Sequence, residues 1–250
     1  MSRSNKTNLP NPASRFYQWK GNAGHFQYYD KSLGEKGETV VASLPLRFMV
    51  LDSLSTIKGY SESQKRGFWA NEVRDVRKDI LTVHVGGNVV AEGLYQKGVL
   101  IARPECRGAK YCQSVYVAIR IGNKLEIANL QLTGAALSSW FEFRKKEKDV
   151  EDGVIEVVES VENKKGAVTF RIPVFHKISS NAAAEAQAEQ LDKILQVYLT
   201  SYLKRDQDAA VVEHVAGATQ EAYEDGYGNT SDAQDGPEYE EHSDDSDLPF

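Results

Sequence analysis

Cysteine is scarce in this chain, and so are long hydrophobic runs. Cys106 and Cys112 are the only cysteines among 250 residues, so no disulfide framework of the kind found in small secreted domains is available. No hydrophobic segment near the start has the length of a signal peptide or a membrane span. We therefore expect a cytoplasmic protein without a membrane partner.

Enzyme signatures are missing as well. The sequence contains no glycine-rich phosphate loop ending in Lys-Ser or Lys-Thr, no His-Glu-x-x-His and no Gly-x-Ser-x-Gly. Cys106 and Cys112 lie too far apart for a zinc-binding pair, so two free thiols and a sheet histidine at His84 are the better interpretation. We expect a protein that is not an enzyme and needs no metal or cofactor. The scattered carboxylate site of a metal-dependent nuclease stays open as an alternative.

Basic residues are absent after Arg205. Fourteen of the 36 acidic residues follow it and all 30 basic residues lie at or before it, so residues 1–205 carry 22 acids and a net charge of +8. A basic body with an acidic tail is typical of proteins whose body contacts a polyanion. Residues 206–250 have few aliphatic side chains, which predicts a disordered acidic tail. A chaperone or scaffolding protein whose tail mimics nucleic acid remains a second alternative.

Short strands dominate the body. Ten runs of β-branched and aromatic residues between residues 16 and 174 are separated by Gly, Asn, Asp or Lys. Their period is two: Val115, Val117 and Ile119 share one face of a strand and Tyr116 faces the other way. In 168–174 the alternation predicts that Val168, Phe170, Ile172 and Val174 are buried. So many short strands predict a mainly β domain, an antiparallel barrel that is closed or nearly closed.

Two accessory helices are predicted beside the barrel. Thr133 can cap a helix to Lys146, on which Leu137 and Trp140 share an apolar stripe. A second helix, about 182–204, follows Asn181 and places Leu195 and Leu199 on one face. That face either packs back on the barrel or forms a homo-oligomer contact. The predicted division is a flexible N-terminal arm (1–14), a domain (15–205) and the tail (206–250).

Aromatic residues stand next to cations in the body, which is the mixture that single-stranded nucleic acid needs for base stacking and phosphate contacts. A barrel core also consumes aromatic residues, so both interpretations of each ring stay open. Residues 65–79 mix Trp69 and several bases with Glu72, Asp75 and Asp79, and a solvated face is the better interpretation there. The predicted strand-binding residues are Trp19, Lys20, Phe26, Tyr28, Lys31, Arg103, Arg107, Lys110, Tyr111, Tyr116 and Arg120.

The last residues form an acidic run that closes on Leu-Pro-Phe. An aromatic side chain and a carboxylate at a terminus suit a small hydrophobic pocket rimmed with Arg or Lys. The predicted docking tip consists of Asp244, Asp245, Asp247, Leu248, Pro249 and Phe250.

This ending resembles the acidic tip of bacterial single-stranded DNA-binding proteins, Asp-Asp-Asp-Ile-Pro-Phe, from which Ser246 departs. The layout of a larger β-rich body with a helix and an acidic tail is similar to that of phage-encoded single-stranded DNA-binding proteins, which act in the host cytoplasm. The resemblance implies an elaborated OB-fold-type barrel that binds and protects single-stranded DNA with little sequence preference. It also implies that the tip recruits replication, recombination and repair proteins.

Overall fold

A computed structural model describes residues 9–208, with side chains to Lys204. Within this range the chain forms a mixed sheet of eleven strands and two α-helices, so the predicted mainly β class is confirmed. The elements are β1 (Phe16–Lys20), β2 (His25–Asp30), β3 (Glu38–Val41), β4 (Leu46–Ser61), β5 (Arg66–Ala70), β6 (Leu81–Val85), β7 (Asn88–Gly93), β8 (Ala109–Ile121), β9 (Lys124–Thr133), α1 (Gly134–Lys146), β10 (Val154–Lys165), β11 (Val168–Ile178) and α2 (Ala182–Asp208). The predicted docking tip lies outside the described residues.

The strands follow the order β3-β2-β1-β9-β8-β4-β5-β6-β7. All pairs are antiparallel except β1 with β9, which are parallel, so the expectation of a purely antiparallel arrangement is wrong at this position. The predicted turn at Gly122 and Asn123 joins β8 to β9, since Ile121 pairs with Lys124.

Strand β4 belongs to two parts of the sheet. Its first residues pair with β10, its last residues pair with β5, and β8 runs along nearly all of it. The backbones of β4 and β8 approach closely at Gly59 and Gly108. A Cβ on Gly59 would lie 2.1 Å from the carbonyl oxygen of Gly108, so β4 requires glycine at position 59, opposite the start of β8.

Two cores lie on the same side of the strands. The first is enclosed by β1, β2, β4, β8, β9 and the β10–β11 pair, and α1 packs into it through Ala136, Leu137, Trp140 and Phe143. The rings of Trp140 and Phe175 meet with centroids 5.1 Å apart. The second core lies under β5, β6 and β7. The predicted extent of α1 is confirmed, because its apolar stripe is set by local spacing.

Helix α2 covers the opposite face of the central strands. Leu195, Tyr198 and Leu199 pack on Leu54, Tyr116 and Ile127, so of the two alternatives for this apolar face the structure shows packing on the body. Asn181 caps it, accepting a hydrogen bond from the backbone N–H of Ala184 at 2.8 Å. The helix continues to Asp208, four residues beyond the predicted end.

Residues 11–14, placed by the sequence in the N-terminal arm, also lie against the sheet. The backbone N–H of Ser14 donates to the carbonyl oxygen of Ile127 at 2.8 Å, and the amide of Asn11 donates to the hydroxyl of Tyr116 at 3.2 Å. This segment and α2 together bury the outer face of β8 and β9.

Candidate nucleic-acid groove

The hairpin of β10 and β11 extends beyond the sheet. Strand β10 pairs with β4 only through Ile155, Glu156 and Val157, while β10 and β11 remain paired to the turn at Lys165 and Val168. We call residues 160–173 the hairpin arm. Near its end, Val161 and Val168 are 47% and 42% exposed, so one side of this hairpin has no core beneath it.

The hairpin arm is fixed to β1 by two hydrogen bonds at Arg171. Its backbone N–H donates to the carbonyl oxygen of Gly21 at 2.7 Å, and its carbonyl oxygen accepts from the indole Nε1 of Trp19 at 2.9 Å. The Trp19 ring in turn packs edge-on against Phe26, with centroids 4.9 Å apart. These contacts hold the arm over the end of the first core.

A groove of about 1050 Å³ lies between the hairpin arm, α1 and the start of β8. Its described lining contains five aromatic side chains, of which Phe143 and Phe175 are buried in the first core, and four cations against one carboxylate, Glu142. The three half-buried aromatic residues are Trp19, Tyr111 and Phe170, which reach the groove from separate strands, and the cations are Lys110, Lys146, Lys165 and Arg171. Apolar rings with surrounding positive charge suit a ligand that combines flat bases with phosphates.

Hydrogen bonds orient two of these side chains. The hydroxyls of Tyr111 and Ser55 lie 2.7 Å apart, and burial raises the pKa of Tyr111, so its ring is held in place and neutral at pH 7. The guanidinium of Arg171 donates from Nε to Ser160 Oγ at 3.0 Å and from Nη2 to the Ser160 carbonyl at 3.4 Å. A guanidinium has five N–H donors, so others remain for an anion.

The groove contains three of the residues predicted for strand binding: Trp19, Lys110 and Tyr111. Lys20 follows Trp19 on β1, and burial lowers its pKa. Arg103 and Arg107 are exposed in the connection that leads to Lys110, on either side of the short turn Pro104–Cys106. They flank the groove without being part of its lining.

Two predicted strand-binding rings are in the core instead. Phe26 is 0% exposed in the first core. Tyr116 is also 0% exposed, so the prediction that it projects from an open face is wrong, because α2 covers that face. Neither ring can stack on a base in this arrangement.

Three further predicted residues lie away from the groove. Tyr28 is half-buried, and the Arg15 guanidinium already covers its ring at 4.3 Å from the centroid. Lys31 is exposed just after β2. Arg120 is exposed at the far end of β8 from Lys110, and ten residues of strand place the two about 33 Å apart.

Sequence reasoning missed the hairpin arm. The prediction that Val168, Phe170, Ile172 and Val174 are buried is wrong: Val168 is exposed and the other three are half-buried, and all four line the groove. Period-two alternation identifies a face of a strand without telling whether a core or an open groove lies beside it.

The buried Tyr116 hydroxyl belongs to a polar cluster. It donates to the Glu72 carboxylate at 2.7 Å, and the Ser114 hydroxyl donates to the same carboxylate. Burial and the Glu72 charge raise the pKa of Tyr116 well above its usual value, so the hydroxyl stays protonated at neutral pH.

We expect Tyr116→Phe to lower the free energy of unfolding by about 1–3 kcal/mol, because the Glu72 carboxylate loses a buried donor. Chemical denaturation measures this change. Affinity for an oligonucleotide should stay unchanged, since Tyr116 does not line the groove. A large loss of affinity in a folded Tyr116→Phe variant would contradict the assignment of this ring to structure.

Within residues 9–208 no cluster of three His, Cys, Asp or Glu side chains has the arrangement of a metal site. Cys106 and Cys112 are buried free thiols, and burial raises the pKa of Cys112 to about 12. In the same part of the chain, neither helix combines the length and apolar character that a membrane crossing needs.

Comparison with family models, curated proteins and solved structures finds no match to this chain.

Proposed function

We propose that this protein binds single-stranded DNA with little sequence preference in the groove beneath the hairpin arm. The observation that supports this most strongly is the groove lining itself, in which three half-buried aromatic rings and four cations surround one open space with a single carboxylate. A small apolar ligand needs no such set of cations, and a phosphate ligand alone needs no such set of rings. A flexible strand with exposed bases uses both.

The proposed mechanism is stacking with phosphate neutralisation. Bases stack on Trp19, Tyr111 and Phe170, each worth about 1–3 kcal/mol, and every base has a flat face, so sequence matters little. Lys110 and Lys165, both exposed, contact phosphates and release counterions from the strand.

The strand pairing supports an OB-type barrel as the finer description of the body. The long β4 pairs with both β8 and β10, and α1 lies between β9 and β10, as an OB-fold requires of its first, second and fourth strands and its helix. OB-folds bind oligonucleotides between the loop joining strands one and two and the loop joining strands four and five. Here these connections end at Lys110 and in the hairpin arm. Strand β1, parallel to β9, is an elaboration of that plan.

A fluorescence titration with labelled oligo-dT at two salt concentrations tests this proposal. We expect saturable binding that weakens with salt, at a logarithmic slope of about −0.7 for each phosphate contacted. Metal-dependent degradation of the oligonucleotide would indicate a nuclease instead. Absence of binding by both the intact and the tail-deleted protein would favour the scaffolding alternative.

We also propose that the acidic tail restrains strand binding and recruits replication, recombination and repair proteins through its tip. The charge division between residues 1–205 and 206–250 and the tip resemblance support this. We propose a location in the host cytoplasm on the basis of the phage-like layout.

Deletion of residues 243–250 is expected to preserve or tighten strand binding and to abolish partner recruitment, because it removes acidic charge together with the terminal wedge. Strand titration and co-precipitation of host replication proteins measure the two effects. Phe250→Ala is the matched control that keeps every tail charge: it should lose partners and leave strand affinity unchanged. Collapse of strand binding after the deletion would contradict the role given to the tail.

A further inference from the structure

Two rings are stacked on the outward face of β5 and β6. Trp69 and His84 lie parallel, with centroids 4.0 Å apart and an interplanar angle of 5°. Their strand neighbours Phe68, Val83 and Val85 point into the second core. Because side chains alternate along a strand, Trp69 and His84 face the other way, and both are half-buried.

Strand register places these rings in one row with Lys110, at the start of β8. Lys110 pairs with Lys58, Lys58 pairs with Trp69, and Trp69 pairs with His84. Directly paired residues project on the same face. Neighbouring strands are about 4.8 Å apart, so Trp69 lies about 10 Å from Lys110 across the sheet and His84 about 14 Å. Lys110 lines the groove, while the adjacent Tyr111 packs on the core side, so the start of β8 separates the groove from the outward face that carries the row.

The fold alone does not account for this pair. Trp69 Nε1 and His84 Nδ1 are both hidden from solvent and have no hydrogen-bond partner among the described residues. A buried polar group without a partner is unfavourable, and an apolar or fully satisfied pair would stabilise the sheet better. Burial also lowers the pKa of His84, so its ring is neutral at pH 7 and suits stacking rather than phosphate binding.

We propose that Trp69 and His84, in one row with Lys110, form a second stacking surface, which binds the bases of a single strand that continues from the groove around the start of β8. Lys58, between Lys110 and Trp69, is buried and takes no part in binding. This inference rests on the proposed strand-binding function and adds a path for the strand. The row is long enough for roughly two further nucleotides. Short oligonucleotides that fill the groove do not reach Trp69, whereas longer ones do.

The test measures affinities of wild type, Trp69→Ala and His84→Ala for oligo-dT of graded length, from about four to about sixteen nucleotides. We expect Trp69→Ala to bind the longest strands about tenfold more weakly and the shortest strands as wild type does. The length at which affinity stops rising should shorten by about two nucleotides. Trp69→Phe, which keeps an aromatic face, should stay within about threefold of wild type.

Ile80→Ala is the matched control, because Ile80 is 53% exposed just before β6 and lies outside the row. Thermal unfolding of each variant shows whether the fold is kept. Equal affinities of wild type, Trp69→Ala and His84→Ala at every length would overturn the proposal, as would an equal loss at all lengths. Failure of the underlying function is distinct, because wild type would then bind neither short nor long strands.

Discussion

We expect the Phe170→Ala variant to bind short oligo-dT about tenfold to a hundredfold more weakly than the intact protein, while its unfolding transition stays close to that of wild type. Phe170 is half-buried and lines the groove, outside the clusters of buried core residues. Its ring is therefore available for a base, and one base stacked on an aromatic ring is worth about 1–3 kcal/mol. Fluorescence anisotropy of a labelled oligonucleotide at low salt measures the change.

Tyr29→Ala is the matched control, since Tyr29 is also a half-buried aromatic residue on a strand but does not line the groove. It should leave affinity unchanged. Equal affinities of Phe170→Ala and wild type would remove the hairpin arm from the binding site. Equal losses in the two variants would mean that general destabilisation, rather than stacking, weakens binding.

The second large effect concerns charge. We expect the double variant Lys110→Gln and Lys165→Gln to reduce the salt dependence of binding by about 1.4 in logarithmic slope, which is two phosphate contacts at about 0.7 each. The two lysines stand on opposite sides of the groove, at the start of β8 and at the turn of the hairpin arm. Titrations at four or more salt concentrations give the slope.

The control replaces two exposed cations that lie outside the groove, Lys31→Gln and Arg120→Gln, and removes the same net charge. Its slope should equal that of wild type. If both double variants reduce the slope alike, long-range attraction to the basic body explains binding, and the groove has no special role. If only the control reduces it, the strand lies on a different surface.

Local patterns predicted the helices well. The Leu137 and Trp140 stripe and the Asn181 cap are read from residues within one or two turns of each other, and helix capping and amphipathicity act over that distance. Thr133 occupies the N-cap position of α1 as predicted, but its side chain makes no capping hydrogen bond there. The turn at Gly122 and Asn123 was predictable for the same reason. Helix α2 is longer than predicted, because its last turn extends into the acidic segment and ends at Asp208.

The groove depends on contacts that no local pattern contains. The hydrogen bond that joins β1 to the hairpin arm connects Trp19 and Arg171, which are 152 residues apart in the sequence. The parallel pairing of β1 with β9 also joins residues that are far apart in the sequence, such as Phe16 and Asn129. Alternation correctly predicted that Tyr116 projects from the other face of β8 than Val115 and Val117. The burial of the Tyr116 face depends on α2 and the N-terminal segment, which no pattern within β8 indicates. Strand β5 was not predicted, because the many charged residues around Phe68 and Ala70, its inward side chains, favoured a solvated face.

Photocrosslinking tests the location of the strand most directly. Oligo-dT carrying 5-iododeoxyuridine is bound to the full-length protein, irradiated and digested, and the crosslinked residues are identified by mass spectrometry. The account predicts crosslinks at Trp19, Tyr111 and Phe170, which line one groove from three separate elements. Crosslinks confined to residues near Lys31 or Arg120, with none in the groove, would contradict it.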